Sequence, residues 1–112
     1  MTISMLEQHI LLAIQALHPD GYGVSVQDYI RQRAGYEPAI GSIYAALERL
    51  EGEGFIKSRQ GQPTAERGGR RKLHFTLRAP GQAALTRSLE AVERLQKRPR
   101  WREAFRSIEA VA

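Results

Sequence analysis

The segment from Gln60 to Lys72 limits the architecture of this chain more than any other. It is polar, glycine-rich and basic, and two stretches that alternate as strands enclose it, Phe55–Arg59 and Leu73–Leu77. On the second, Leu73, Phe75 and Leu77 share one face. The segment is too long for a tight turn, so the pattern predicts a hairpin with an extended, basic loop. Three helical stripes precede it. Ile3, Leu6, Ile10, Ala13, Ile14 and Leu17 keep a three-to-four spacing, with Met5, Leu11 and Leu12 widening the face, and His18-Pro19-Asp20-Gly21 ends the run. Tyr22-Gly23-Val24 reads as a minimal strand or an extended link. Ser25 is the expected N-cap of a second helix carrying Val26, Tyr29 and Ile30 inward and ending near Gly35. Ile40, Ile43, Tyr44, Leu47 and Leu50 mark a third helix to about Glu53, closed by Gly54. A fourth begins at Pro80, where the missing N–H is harmless. Its seam, Leu85, Leu89, Val92 and Leu95, has the four-and-three spacing of a coiled-coil interface, up to the break at Pro99. Beyond it a last short helix would place Trp101, Phe105 and Ile108 on one side.

Two helices joined by a short glycine-containing turn, then a hairpin with a basic tip, is the order of a winged helix-turn-helix. The expected fold is mainly α with a small β-hairpin. A winged helix domain over 1–78 is followed by a C-terminal helical dimerisation arm over 79–112. A helix N-terminus offers backbone N–H groups to phosphates or base edges, which places the third helix in a major groove. The loop arginines would reach the backbone or the adjacent minor groove.

Charge distribution agrees with a polyanionic partner. The net charge of +5 on 112 residues divides unevenly. Residues 1–56 hold three basic side chains against seven acidic ones, and residues 57–112 fourteen against five. Lys57, Arg59, Arg67, Arg70, Arg71 and Lys72 surround the hairpin loop, and a second group runs from Arg94 to Arg106. The absence of cysteine excludes disulfides and thiolate metal sites and makes a reducing compartment natural. The apolar run Ile10–Ile14 stops at Gln15, too short to span a membrane, and Glu7 and His9 interrupt any signal-like stretch. A cytoplasmic protein is expected. Catalysis is not: His9, His18 and His74 fall in separate segments without metal-ligand spacing, and no nucleotide-cradling glycine loop occurs. No cofactor or metal is expected.

The run Gly41-Ser42-Ile43-Tyr44-Ala45-Ala46-Leu47-Glu48-Arg49-Leu50-Glu51, followed by Gly54-Phe55-Ile56, resembles the recognition helix and first wing strand of PadR-type transcriptional regulators. Gly68-Gly69-Arg70-Arg71-Lys72 with Phe75, Leu77 and Gly81 is similar to that family's wing and following helix, and Leu11-Leu12 with Gly21-Tyr22-Gly23 to its first helix and turn. The length and single C-terminal helix resemble the short subgroup. The resemblance implies a homodimeric repressor of double-stranded DNA on a pseudo-palindromic operator. In it the C-terminal helix, with Leu85, Leu89, Val92 and Leu95, pairs with its mate and with the first helix at Leu6 and Ile10. It also implies phosphate or base contacts from Ser42 and Tyr44, with Arg49 along the same helix, while Arg70, Arg71 and Lys72 form the wing contact. Two positions depart from the pattern. Ala39-Ile40 stands where a hydroxyl residue and proline often open the recognition helix, and Arg78 where a threonine often caps the fourth.

Several residues carry two readings. The Tyr44 ring fits either core packing or a phosphate contact, or both. Arg49 is placed to pair with Glu53, four residues on. Glu48 is either an acceptor for a cytosine amine or part of a solvated face. Trp101 and Phe105 are packing anchors or the lining of a site for a small hydrophobic or aromatic effector. Two rival functions remain at this stage. One is a winged-helix protein-interaction module, suggested by the acidic N-terminal half and predicting no retention on duplex DNA. The other is a ligand-binding dimer with an incidental wing, predicting quenching of the tryptophan by hydrophobic cations.

Overall fold

The computed structural model describes residues 2–63 and 71–97. The described residues form four helices, α1 (Met5–Leu17), α2 (Gly23–Ala34), α3 (Ile40–Gly52) and α4 (Ala79–Gln96), and one antiparallel hairpin of β1 (Ile56–Pro63) and β2 (Arg71–Leu77). Helix α1 is central and packs against α2, α3, α4 and β2. Its Ile10, Leu11, Ala13 and Ile14 are wholly buried with Val26, Ile43, Leu50 and Leu85. Burying such aliphatic side chains, at about 1.5–3 kcal/mol each, is the main force holding the layers together.

The helices begin and end for identifiable reasons. Ser4 caps α1 in a reciprocal box: its hydroxyl accepts from the Glu7 N–H at 3.1 Å, and its own N–H donates to Glu7 Oε1 at 2.7 Å. Gly35 and Gly54, each at φ +77°, supply the left-handed residues that end α2 and α3. Helices α3 and α4 start at Ala39 and Arg78 without side-chain caps, as the two departures in sequence imply.

Three local expectations change. Tyr22-Gly23-Val24 is neither strand nor link, because α2 begins at Gly23. Ser25 is not the N-cap. It sits one turn inside, accepting from the Tyr22 N–H at 2.9 Å and donating to the Asp20 carbonyl at 2.8 Å, so the same hydroxyl ties down the turn from within the helix. The strands also run further into the expected loop, to Pro63 and from Arg71, with a bulge between Gln60 and Pro63. Of the face expected to be apolar, Phe75 is buried and Leu77 packs on the core, whereas Leu73 is half exposed.

The arm expected from residue 79 starts with α4, whose first turns place Gly81, Ala84 and Leu85 in the same core as α1 and α3. Trp101 and Phe105, the short helix that would carry them, and most of the second basic group lie outside the described residues.

Candidate nucleic-acid interface

Helix α3 turns Ile43, Leu47 and Leu50 into the core and leaves Ser42, Tyr44, Ala45 and Glu48 outward. The Tyr44 ring satisfies both of its readings. It is half exposed, yet it lies so close to the start of α2 that a Cβ at Gly23 would meet its Cε1 at 2.5 Å. Glycine at 23 is therefore what lets the α3 tyrosine settle on α2.

Beside Gly23 stands Tyr22, which holds the base of the wing. Lys72 Nζ lies 4.4 Å from the Tyr22 ring centroid and donates to its hydroxyl at 3.3 Å. His74 packs against the same ring at 5.4 Å. Two further bonds converge on the Pro19 carbonyl, from Arg59 Nη2 at 2.9 Å and His74 Nδ1 at 3.2 Å. The backbone joins in, with the Phe75 N–H donating to the Gly21 carbonyl at 2.8 Å. From the other side Glu51 accepts from the Ser58 N–H and hydroxyl at 2.9 and 2.6 Å, linking the end of α3 to β1. The wing base and the outer face of α3 thus meet across Tyr22-Gly23. The sequence places Arg59 in the basic group around the hairpin and Tyr22 in a glycine-flanked turn, but does not bring them together with His74; the alternation of β2 places His74 off the core face without showing what it meets.

Arg49 makes its ion pairs within the chain. Its Nε donates to Glu7 Oε2 at 2.5 Å and its Nη2 to Glu7 Oε1 at 2.8 Å, and Glu53 lies 3.8 Å away. The pairing with Glu53 expected from the sequence is present; the stronger one, with a carboxylate 42 positions away, is not local. Glu7 is 4% exposed. Burial by itself would raise its carboxyl, but the Arg49 hydrogen bonds, the Ser4 amide and hydroxyl and the Arg49 charge together hold it below the ordinary value of 4.5. The guanidinium is committed within the chain, bracing α3 against α1.

The other predicted residues divide. Ser42 is exposed on the first turn of α3. The backbone of Arg71 opens β2, and Arg70 lies outside the described residues. Ile10 and Leu85, expected on a dimer seam, are fully enclosed within the single chain and offer no surface to a second copy. Leu6 packs partly on the core, while Leu89, Val92 and Leu95 remain exposed. Among the described residues no group of three His, Asp or Glu side chains could hold a metal, and no helix is long and apolar enough to cross a membrane.

A helix-turn-helix whose second helix is followed by a hairpin anchored to the preceding turn is a winged helix. The chain belongs to the PadR-like family of transcriptional regulators, whose profile matches residues 10–87. Solved structures share the fold. A PadR family transcription regulator from Clostridium difficile superposes with a TM-score of 0.70 at 22% identity, over 84% of this chain and 93% of that one. A transcriptional regulator from Clostridium thermocellum gives 0.69 at 24%, over 82% and 86%. Bacillus subtilis PadR, solved in complex with operator DNA, gives 0.67 at 22%, over 86% of this chain and 51% of that longer one. No curated protein matches the sequence.

Proposed function

We propose that this regulator acts as a repressor, binding a pseudo-palindromic operator as a homodimer. The carrying observation is the surface on which Tyr44 of α3 meets Lys72 at the wing base through Tyr22-Gly23, with Ser42 exposed on the same helix. Helix α3 enters the major groove, Ser42 and the Tyr44 hydroxyl contact phosphate or base edges, and Arg70 and Arg71 at the wing contact backbone or minor groove. Arg49, on the same helix, braces α3 against α1 through Glu7. With Arg49 held by Glu7, the positive charge that attracts phosphate comes from the wing. A double change of Arg70 and Arg71 to alanine should lower operator affinity at least roughly 10- to 100-fold near 0.1 M salt and flatten the log–log salt slope by about 2 per protomer, about 4 for the dimer. A gel-shift titration across salt reads both. Unchanged affinity and slope would remove the wing from the interface.

The exposed face of α4 supports pairing with a second copy. Gln8 on α1 donates to the Ser88 hydroxyl at 2.7 Å and Gln15 to Gln82 Oε1 at 3.2 Å, so α4 runs antiparallel to α1. It passes the N-terminal end of α1 with Leu89, Val92 and Leu95 still uncovered, at 40%, 41% and 78% exposure. A mate's α4 covers that seam and sets two recognition helices about 34 Å apart, in successive major grooves. An effector at this junction would act by altering the separation of the two heads. Changing Val92 and Leu95 together to glutamate should give a folded monomer in analytical ultracentrifugation at micromolar concentration, with operator binding reduced at least tenfold. A wild-type chain that sediments as a monomer would exclude the dimer.

A further inference from the structure

Glu48 is the side chain that the interface leaves unexplained. At 3.6 residues per turn it lies on the outer face of α3, on the line that runs along the side away from the buried ridge of Ile43, Leu47 and Leu50. Ser42 and Tyr44 flank it on either side, and the line it occupies otherwise holds Gly41, Ala45 and Gly52, which bring no functional group. The other carboxylates of α3 and its neighbours are engaged: Glu7 and Glu53 with Arg49, Glu51 with Ser58, Glu37 with Arg31. Among the described residues Glu48 has no such partner. A carboxylate on the face that approaches DNA opposes the phosphates, so it is tolerated there where it meets a donor.

Resting on the DNA-binding reading above, we infer that Glu48 is a specificity-determining residue, accepting a hydrogen bond from the exocyclic amine of one cytosine in each half-site. With Ser42 and Tyr44 toward the two walls of the groove, the centre of the face looks onto its floor. There cytosine presents N4–H2 beside an apolar C5–H. Adenine pairs its N6 amine with the N7 acceptor, which repels a carboxylate. The same negative charge weakens binding to any sequence lacking that donor.

Selection from randomised duplexes with the full-length protein tests this. The wild type should enrich cytosine at one position per half-site. Glu48→Ala should flatten that position alone, losing roughly 5- to 100-fold discrimination there, while its affinity for unrelated duplex rises. Glu48→Gln should move the preference to adenine, whose N6 and N7 an amide matches. Thermal melting indistinguishable from wild type confirms that both variants are folded. Identical base preferences in wild type and Glu48→Ala would overturn the assignment and leave the DNA-binding reading standing. A wild type that enriches no sequence would overturn both.

Discussion

Replacing Gly81 with alanine is expected to destabilise the protein by about 3 kcal/mol or more, a large part of the stability of so small a domain. Helix propensity points the other way, since alanine within a helix is favoured over glycine by about 1 kcal/mol. Packing decides the sign. Gly81 is buried in the first turn of α4, and a Cβ there would overlap the Phe55 carbonyl oxygen and lie 2.9 Å from the Phe55 carbon and 3.0 Å from Leu77 Cδ1. The obstacle is backbone, so no rotamer change relieves it. Phe55 is also fixed by its own bonds, its carbonyl accepting from the Arg78 N–H at 2.9 Å and its N–H donating to Leu50 at 3.0 Å. Relief requires α4 to lift from the core, which uncovers Ala84 and Leu85 and misplaces the Leu89–Leu95 seam. Thermal denaturation should show a drop of roughly 10–20 °C. Gly41→Ala is the control, because a Cβ at that position meets nothing within 4 Å. Equal melting temperatures for Gly81→Ala and wild type would contradict the tight α4 docking.

The architecture was legible because local periodicity and long-range packing agree. The stripes at Ile10–Ile14 and Ile43–Leu50 point inward as their spacing requires, and the glycine at 54 ends α3 where the stripe stops. What periodicity cannot supply is the identity of the opposing surface. Ile10 and Leu85 satisfy the spacing of an intermolecular seam, but within the folded chain α1 and α4 cover each other there. The strands extend into Gln60–Pro63 and Arg71-Lys72 because pairing across the hairpin satisfies the backbone, although glycine, proline and charge carry little strand signal of their own. On α3, the resemblance singles out Ser42 and Tyr44, and the sequence leaves Tyr44 open between packing and exposure, both of which its half-exposed ring satisfies. The Tyr22–Lys72–His74 cluster was not legible, since it joins residues about 50 apart. One missed partner did leave a trace: Glu7 lies on the same stripe as Ile3, Ile10 and Ile14. A carboxylate on an apolar face implies a buried cation or donor, and Arg49 supplies it.

That pair gives the second large effect, and its pH dependence has a definite sign. Glu7→Gln keeps the shape but removes the charge that accepts from both arms of Arg49 and from the Ser4 amide. Hydrogen bonds to a charged group contribute about 2 kcal/mol net, so the variant should lose about that much at neutral pH in urea denaturation. Because the folded-state carboxyl titrates below its ordinary 4.5, the unfolded chain takes up a proton first as acid is added. The stabilisation is therefore fully present above about 4.5 and disappears as the pH falls from there through the lowered folded value. The advantage of wild type over Glu7→Gln should be constant from pH 7 to 5 and shrink steadily below that. An advantage independent of pH down to 3 would assign the loss to packing instead of the ion pair. Since Arg49 lies on α3, the helix proposed to enter the major groove, the neutral-pH loss should be accompanied by weaker operator binding at temperatures where the variant is still folded. The bracing of α3 by α1 thereby links the acid limit of stability to the geometry of the reading head.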